Sequence, residues 1–308
     1  MIPTIAICIA TFKRPAGLRE MLGSLLNLQI EGFVVHLLVA DNDPQESARP
    51  QVDSFSLIAP FPVTYVSEPE RGIAFVRNRL VAEAYKYNSD FIAFVDDDEI
   101  VDPGWLANLV KISQEFNADA VTGPQIYRCD ADTPDYIIQC FGTTERQNGQ
   151  PVRRLSTGNV LLRTNELRQI PGPFDSRFNL IGGSDSMLGE TLNARGFNVV
   201  WSSDAIVYEH VPASRANAKW ILKRGYRAGT NYGLIARTLD PTPRKIARHA
   251  ADSFFRIGDG VVRMLGSVIF NRKMVLYYAR RVAIGVGGLA ILVSRKSVYQ
   301  EYKTTHGQ

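Results

Sequence analysis

Cysteine is scarce in this sequence. Cys8, Cys129 and Cys140 are the three among 308 residues, and no pair has CxxC spacing. An odd, unpatterned set argues against a disulfide framework or a thiolate zinc site and suits a reducing cytosol. Cys8 lies inside an apolar run and reads as core. A glycine-rich phosphate loop is also missing. No GxGxxG or Walker pattern follows the first apolar run, which argues against dinucleotide or P-loop binding. Met1-Ile2-Pro3-Thr4 offers no charged n-region, long h-region or cleavage site, so no signal peptide and a cytoplasmic location are expected. No apolar run reaches the roughly 20 residues that span a bilayer. The longest uncharged stretch of the last third, Val282 to Ser294, has 13 residues and contains Gly287-Gly288.

Acids are scarce in one part only. Residues 213–308 hold 18 Lys+Arg against 4 Asp+Glu, whereas residues 1–212 hold 17 against 27. The net charge of +4 therefore hides an acidic half and a basic half. The split suggests a metal-using catalytic domain over 1–212 and a basic region over 213–308 that meets something anionic. Segments near 215–238, 243–267 and 272–294 read as helices. Arg280, Arg281, Arg295 and Lys296 flank the uncharged stretch, as in an interfacial helix peripheral to an anionic membrane. The alternative is that these apolar faces pack on the catalytic domain or on each other. No nucleic-acid partner is expected.

What is present is ample apolar material, 45% of residues, enough for a large buried core. Thr4 to Ala10, Phe33 to Ala40, Val63 to Val66 and Phe91 to Val95 read as strands. Helices fall between them: one opened by Pro15 with Leu18, Met21, Leu22 and Leu25 at helical spacing, a short second one, and a third from Gly72 to about Tyr87. Alternating strands and helices predict an α/β fold, a parallel sheet with helices on both faces. His36, inside the second strand, reads as packed rather than as a ligand. A helix over Pro103 to Phe116 and a strand at Ala120 to Gly123 follow. Residues 125–154 read as loop or hairpin, and Val160 to Leu162 as another strand. Ser184 or Asp185 is placed to cap a helix to Ala194 that Gly196 stops. Asn198 to Trp201 and Ala205 to Tyr208 read as strands, the second followed by Glu209-His210. Trp105 and Trp220 read as packed, with stacking on a ligand ring the alternative. The 157–159 loop is a candidate part of a ligand site from its place in chain order.

The chemistry concentrates where the fourth strand runs into Asp96-Asp97-Asp98-Glu99. Adjacent carboxylates repel, and a hard divalent cation such as Mg²⁺ or Mn²⁺ relieves that repulsion. The alternative is a solvated loop capping the next helix through Asp102-Pro103. In open α/β sheets ligands bind beyond the carboxyl ends of the strands, so Thr11–Arg14, Asp41–Asp43 and Asp96–Asp98 should converge.

Thr11-Phe12-Lys13-Arg14, Asp41-Asn42, Arg77-Asn78, Phe94-Val95-Asp96-Asp97-Asp98, Gly183-Ser184-Asp185 and Glu209-His210, in this order, resemble the family 2 glycosyltransferases of the GT-A fold, over about residues 1–212. Within that family the likeness points to glucosyltransferases of succinoglycan-type exopolysaccharide synthesis. The resemblance implies a nucleotide-sugar donor, most often UDP-linked, and a saccharide acceptor; the basic tail points to a lipid-linked one, with a soluble acceptor as the alternative. It implies Asp41 on the uracil with Thr11 and Arg14 nearby, Arg77 near the base or diphosphate, and Asp97 on the ribose. It implies Asp98 as metal ligand, with Asp96 sharing, His210 as a late metal or diphosphate ligand, and Asp185 as general base. Ser184 departs from the family, which often has an acid before the base. Asp185 at a helix start would be favoured as the ionised form; otherwise it is only a cap. Two other readings compete: a haloacid-dehalogenase-type phosphohydrolase using Asp96 and Asp98, and a non-catalytic cation- or nucleotide-binding protein.

Overall fold

The structure, a computed structural model, describes residues 2–142 and 145–293. The described residues form two compact units. The first comprises residues 2–126 and 145–209, and the second residues 127–142 and 210–293.

The first unit begins β1 (Thr4–Thr11), α1 (Pro15–Leu25), β2 (Val34–Asp41), α2 (Arg49–Ser56), β3 (Val63–Ser67), α3 (Ile73–Lys86) and β4 (Phe91–Asp96). It continues with β5 (Glu99–Val101), α4 (Trp105–Glu115), β6 (Ala120–Thr122) and the start of β7 (Gln125–Cys129). The chain then leaves for α5 (Asp135–Ile138) of the second unit and returns as β8 (Val160–Arg163), α6 (Thr164–Leu167), α7 (Ser184–Ala194), β9 (Val199–Trp201) and β10 (Val207–Val211), which ends in the second unit.

Seven strands form one sheet in the order β3-β2-β1-β4-β8-β6-β9. Neighbours are parallel except that β8 runs antiparallel to β4 and β6. Side chains alternate across a strand, and here both sides are covered. Ile5, Ile7 and Ile9 join Leu37, Val39, Ala93 and Val95 in a core with the apolar faces of α1, α2 and α4. Ala6 and Cys8 join Leu38, Ala40, Ile92 and Phe94 in a second core under α3 and α7. This two-sided burial is why β1, β2 and β4 read as unbroken apolar runs. In α1, Leu18, Met21, Leu22 and Leu25 are buried behind Pro15 in the first turn. Each such side chain contributes about 1.5–3 kcal/mol. Gly17 lets α1 approach the acid loop, since a Cβ there would lie 2.9 Å from the carbonyl oxygen of Asp97.

Several local expectations change. Helix α4 starts at Trp105 with Gly104 as its N-cap, and Asp102 accepts a hydrogen bond from the Gly104 amide at 2.9 Å instead of capping. Gly183, at φ +94, is the N-cap of α7, so neither Ser184 nor Asp185 caps it. His210 lies within β10 rather than after it. Trp105 is fully buried and donates to Asn159 Oδ1 at 2.9 Å. Asn159 also donates to the carbonyls of Pro124 and Ala205, so its side chain ties this loop into the fold. His36 is packed, 4.0 Å from the Tyr87 ring, and desolvation lowers its pKa.

The second unit contains α8 (Ala218–Leu239), α9 (Pro243–Phe270) and α10 (Val275–Val293). Helix α10 packs against both others. The contacts are made by small residues. A Cβ at Gly229 would collide with the Ile284 carbonyl, one at Gly287 with the Tyr226 carbonyl, and one at Gly285 would lie 2.7 Å from the Ser253 carbonyl. The glycines that weaken residues 282–294 as a free helix are thus its close-packing positions. Trp220 stacks on Phe141 at 5.9 Å between centroids, beside a small apolar cluster of Ile137, Cys140, Val211 and Ile221. Ser294, Arg295 and Lys296 lie outside the described residues.

Candidate active site

The parallel register brings three strand ends to one edge. Thr11 stands opposite Asp41, and Ala10 opposite Asp96. The loop after β1 then doubles back through Lys13 at φ +54, a left-handed conformation costing about 1 kcal/mol. Arg14 thereby reaches the acids. Its Nη1 donates to Asp97 Oδ1 at 3.1 Å and to Asp98 Oδ2 at 2.7 Å. Thr11 Oγ1 donates to Asp97 Oδ2 at 2.7 Å. Both Asp97 oxygens are therefore engaged and the residue is buried. Burial pushes its carboxyl up to about 7, with Arg14 opposing and Asp98 adding to the rise.

Asp96 and Asp98 are the accessible members of the run, with side chains 38% and 26% exposed. Asp96 accepts from Arg77 Nη2 at 3.4 Å, and Arg77 Nη1 donates to Ser184 Oγ at 3.2 Å. One guanidinium on α3 thus joins the acid run to the first turn of α7. Desolvation raises the Asp96 pKa. Arg77 opposes this, and the charges of Asp98 and Asp185 add to it. Asp185 therefore lies within electrostatic reach of the run. Its Oδ1 accepts from the Ser186 amide at 2.7 Å. Ser184 is fully buried, and its hydroxyl meets Arg77.

Glu99, read in the sequence only as the end of the acid run, supports it from below. It is buried in β5, accepts from the Asp96 amide at 2.9 Å and from Gln125 Nε2 at 2.5 Å, and pairs across β10 with Glu209. Desolvation and then the charge of Asp96 raise its pKa well above the carboxylate range. Asp41 is fully buried. Its Oδ1 accepts from the Asp43 amide at 2.9 Å, and its Oδ2 from the Ala48 amide at 2.9 Å and Tyr65 Oη at 3.1 Å. It organises the loop after β2. Asn42 donates to the carbonyls of Glu68 and Glu70 and accepts from the Gly72 amide at 2.8 Å. Asn179 was not singled out in the sequence. Its Oδ1 accepts from the amides of Ala74 at 2.8 Å and Phe75 at 3.2 Å. It caps α3 from a distant loop, one turn before Arg77.

His210 belongs to the second unit, where its Nε2 lies 3.0 Å from Asp130 Oδ1. Among the described residues no three His, Cys, Asp or Glu side chains form a ready metal cage. The donor set still fits a hard cation. Asp96 and Asp98 present accessible carboxylates whose repulsion is only partly neutralised by Arg14 and Arg77. Mg²⁺ binds through one or two carboxylates plus substrate phosphates and water, so a full protein cage is not required.

A mostly parallel sheet with acids at the carboxyl end of its fourth strand and a carboxylate helix beside it defines the GT-A class of transferases. The model of "Glycosyl transferase family 2" matches residues 6–171, and the chain belongs to that family; it is a glycosyltransferase. It is 31% identical over 234 residues, 75% of this chain and 74% of the relative, to the succinoglycan biosynthesis protein ExoM of Rhizobium meliloti. It is 24% identical over 241 residues, 73% of this chain and 74% of the relative, to a glucosyl-dolichyl phosphate glucuronosyltransferase of Haloferax volcanii. Among solved structures, a mannosyltransferase from Pyrobaculum calidifontis in complex with GDP-Man and Mn²⁺ superposes with a TM-score of 0.61 at 16% identity, covering 99% of this chain and 83% of that one. The family assignment removes the phosphohydrolase and non-catalytic readings.

Proposed function

We propose that this protein transfers glucose from UDP-glucose to a growing lipid-linked oligosaccharide in exopolysaccharide synthesis, with inversion and with Mg²⁺ or Mn²⁺ bound. The observation that carries the reading is Arg77, which ties the accessible carboxylate of Asp96 to the helix start bearing Asp185. This arrangement supports a donor site and an acceptor base at one strand edge. The likeness to ExoM supports an exopolysaccharide role. The name of the Haloferax relative includes a lipid phosphate, and the manganese complex of the Pyrobaculum enzyme supports a metal-bound nucleotide sugar.

Asp98, with Asp96, would hold the cation. The uracil contact falls to Asp41, with Thr11 and Arg14 nearby. Asp97 is assigned to the ribose. A divalent cation there supplies Lewis-acid stabilisation of the leaving diphosphate. Arg14 and Arg77 add fixed positive charge near the same oxygens. Asp185 accepts the proton of the acceptor hydroxyl as its oxygen attacks the anomeric carbon. The carbon–oxygen bond to phosphate breaks, and its electron pair leaves with UDP. Such a base contributes about 10²–10⁴-fold. His210 is a further candidate ligand for the metal or the diphosphate. The enzyme works at the cytoplasmic face of the membrane, peripheral to anionic lipid.

The test is transfer of radiolabelled glucose from UDP-glucose into the organic phase of a lipid-linked acceptor extract, with Mn²⁺ and with EDTA. Metal-dependent label in lipid-linked product supports the reading. Label from another nucleotide sugar only would refute the donor, and label in a water-soluble product only would refute the acceptor.

A further inference from the structure

The second unit is built inside out. On α9, Phe254, Phe255, Val262, Leu265, Ile269 and Phe270 are 61% to 86% exposed. All but Phe270 share one stripe with Gly258, over a length of about 22 Å. The buried positions of the same helix are Ser253, Gly260 and Ser267, spaced every seventh residue. They meet the glycine-bearing faces of α10, where Gly285 and Gly288 lie against Ser253 and Gly260 against Val282. A helix on a water-soluble core shows the reverse, with large apolar residues inward. Small residues inward and large apolar residues outward characterise helices that face lipid. A continuous exposed stripe of this size marks an interaction surface rather than scattered exposure.

Charge identifies the occupant. Helix α9 carries Arg244, Lys245, Arg248, Arg256 and Arg263 against Asp252 and Asp259. Asp259 is paired with Arg263 at 2.7 Å and with Arg281 of α10 at 2.8 Å. A second copy of the chain would bring the same positive charge and be repelled, whereas an anionic bilayer attracts it. These charges also oppose burial of α9 across a bilayer, so the helix lies in the interfacial plane. Within the described residues one stretch, Arg272–Val293, is long and apolar enough to cross a membrane by length and composition, with 22% of its most apolar 18 residues buried. Its glycines are used against α8 and α9.

We propose that the outward stripe of α9, rather than the 282–294 run, is the surface that docks this enzyme on anionic lipid. For its purpose this rests on the lipid-linked acceptor proposed above; its physical basis is independent. The test is flotation of the full chain with phosphatidylcholine vesicles and with vesicles containing phosphatidylglycerol. The variants are Leu265→Ser/Ile269→Ser and, should that melt at lower temperature, Val262→Ser alone. The expected result is strong partition onto phosphatidylglycerol vesicles, reduced by high salt. The double variant should lower it about a hundredfold, near tenfold per exposed side chain. Equal partition of wild type and variants would overturn the proposal, as would no vesicle binding, or a dimer that the variants make monomeric. UDP titration on the same preparations separates the two readings. Lost flotation with intact UDP binding isolates the surface. Intact flotation with no UDP binding sinks the donor assignment and leaves the surface standing.

Discussion

Arg14 Nη1 lies 2.7 Å from Asp98 Oδ2 and 3.1 Å from Asp97 Oδ1, so one guanidinium holds together two acids that would otherwise repel. The side chains of Arg14 and Asp98 are about a quarter exposed, which weakens the pair. Asp97 is buried and is left poorly compensated if Arg14 goes. Arg14→Met should cost about 1–3 kcal/mol in EDTA, and Mn²⁺ should restore much of it. Urea denaturation in both conditions checks this. A variant as stable as wild type in EDTA would contradict the pairing.

The titration of Asp97 gives a pH prediction. Its carboxyl is pushed up to about 7 in the metal-free protein, against about 3.9 in an unfolded chain. Between those values the folded state keeps a proton that the unfolded state has released. This group's contribution therefore falls as pH rises from about 4 to about 7. Asp97→Asn removes the titration. The variant's melting temperature relative to wild type, in EDTA, should climb across that window. A constant difference would refute the assignment.

Asp185→Asn should lower turnover about 10²–10⁴-fold while leaving UDP affinity within about twofold. Steady-state rates paired with nucleotide titration read this directly. Equal loss of both would reduce Asp185 to a structural residue of α7.

Asn179 makes a prediction far from the chemistry. Removing its side chain orphans the amides of Ala74 and Phe75 at the start of α3. Asn179→Ala should cost about 1–2 kcal/mol, as cap removal does. Because Arg77 lies one turn further on, activity should fall more than nucleotide affinity. A melting temperature unchanged from wild type would dismiss the cap.

The strands β1, β2 and β4 were legible because two-sided burial writes itself as continuous apolar sequence, and the acids were legible because they follow such a run. Strand direction was not. Val160–Arg163 looks like any short apolar strand, and only the folded chain shows it antiparallel between β4 and β6. Glu99 looked like one more solvated acid, yet β5 turns it beneath the Asp96 amide. Asn179 could not be found from spacing, since its partners lie more than 100 residues away. The cap of α7 was misassigned because Gly183 takes the left-handed conformation a residue before the polar pair. In the second unit, glycines that look like helix breakers are contact surfaces once a neighbouring helix is present.

The most direct measurement is calorimetric titration of UDP, with GDP as control, in Mn²⁺ and in EDTA, on wild type and on Asp98→Ala. The account predicts UDP binding that requires the metal and is lost in Asp98→Ala. Binding of UDP equal in EDTA and in the variant, or no binding of either nucleotide, would contradict it.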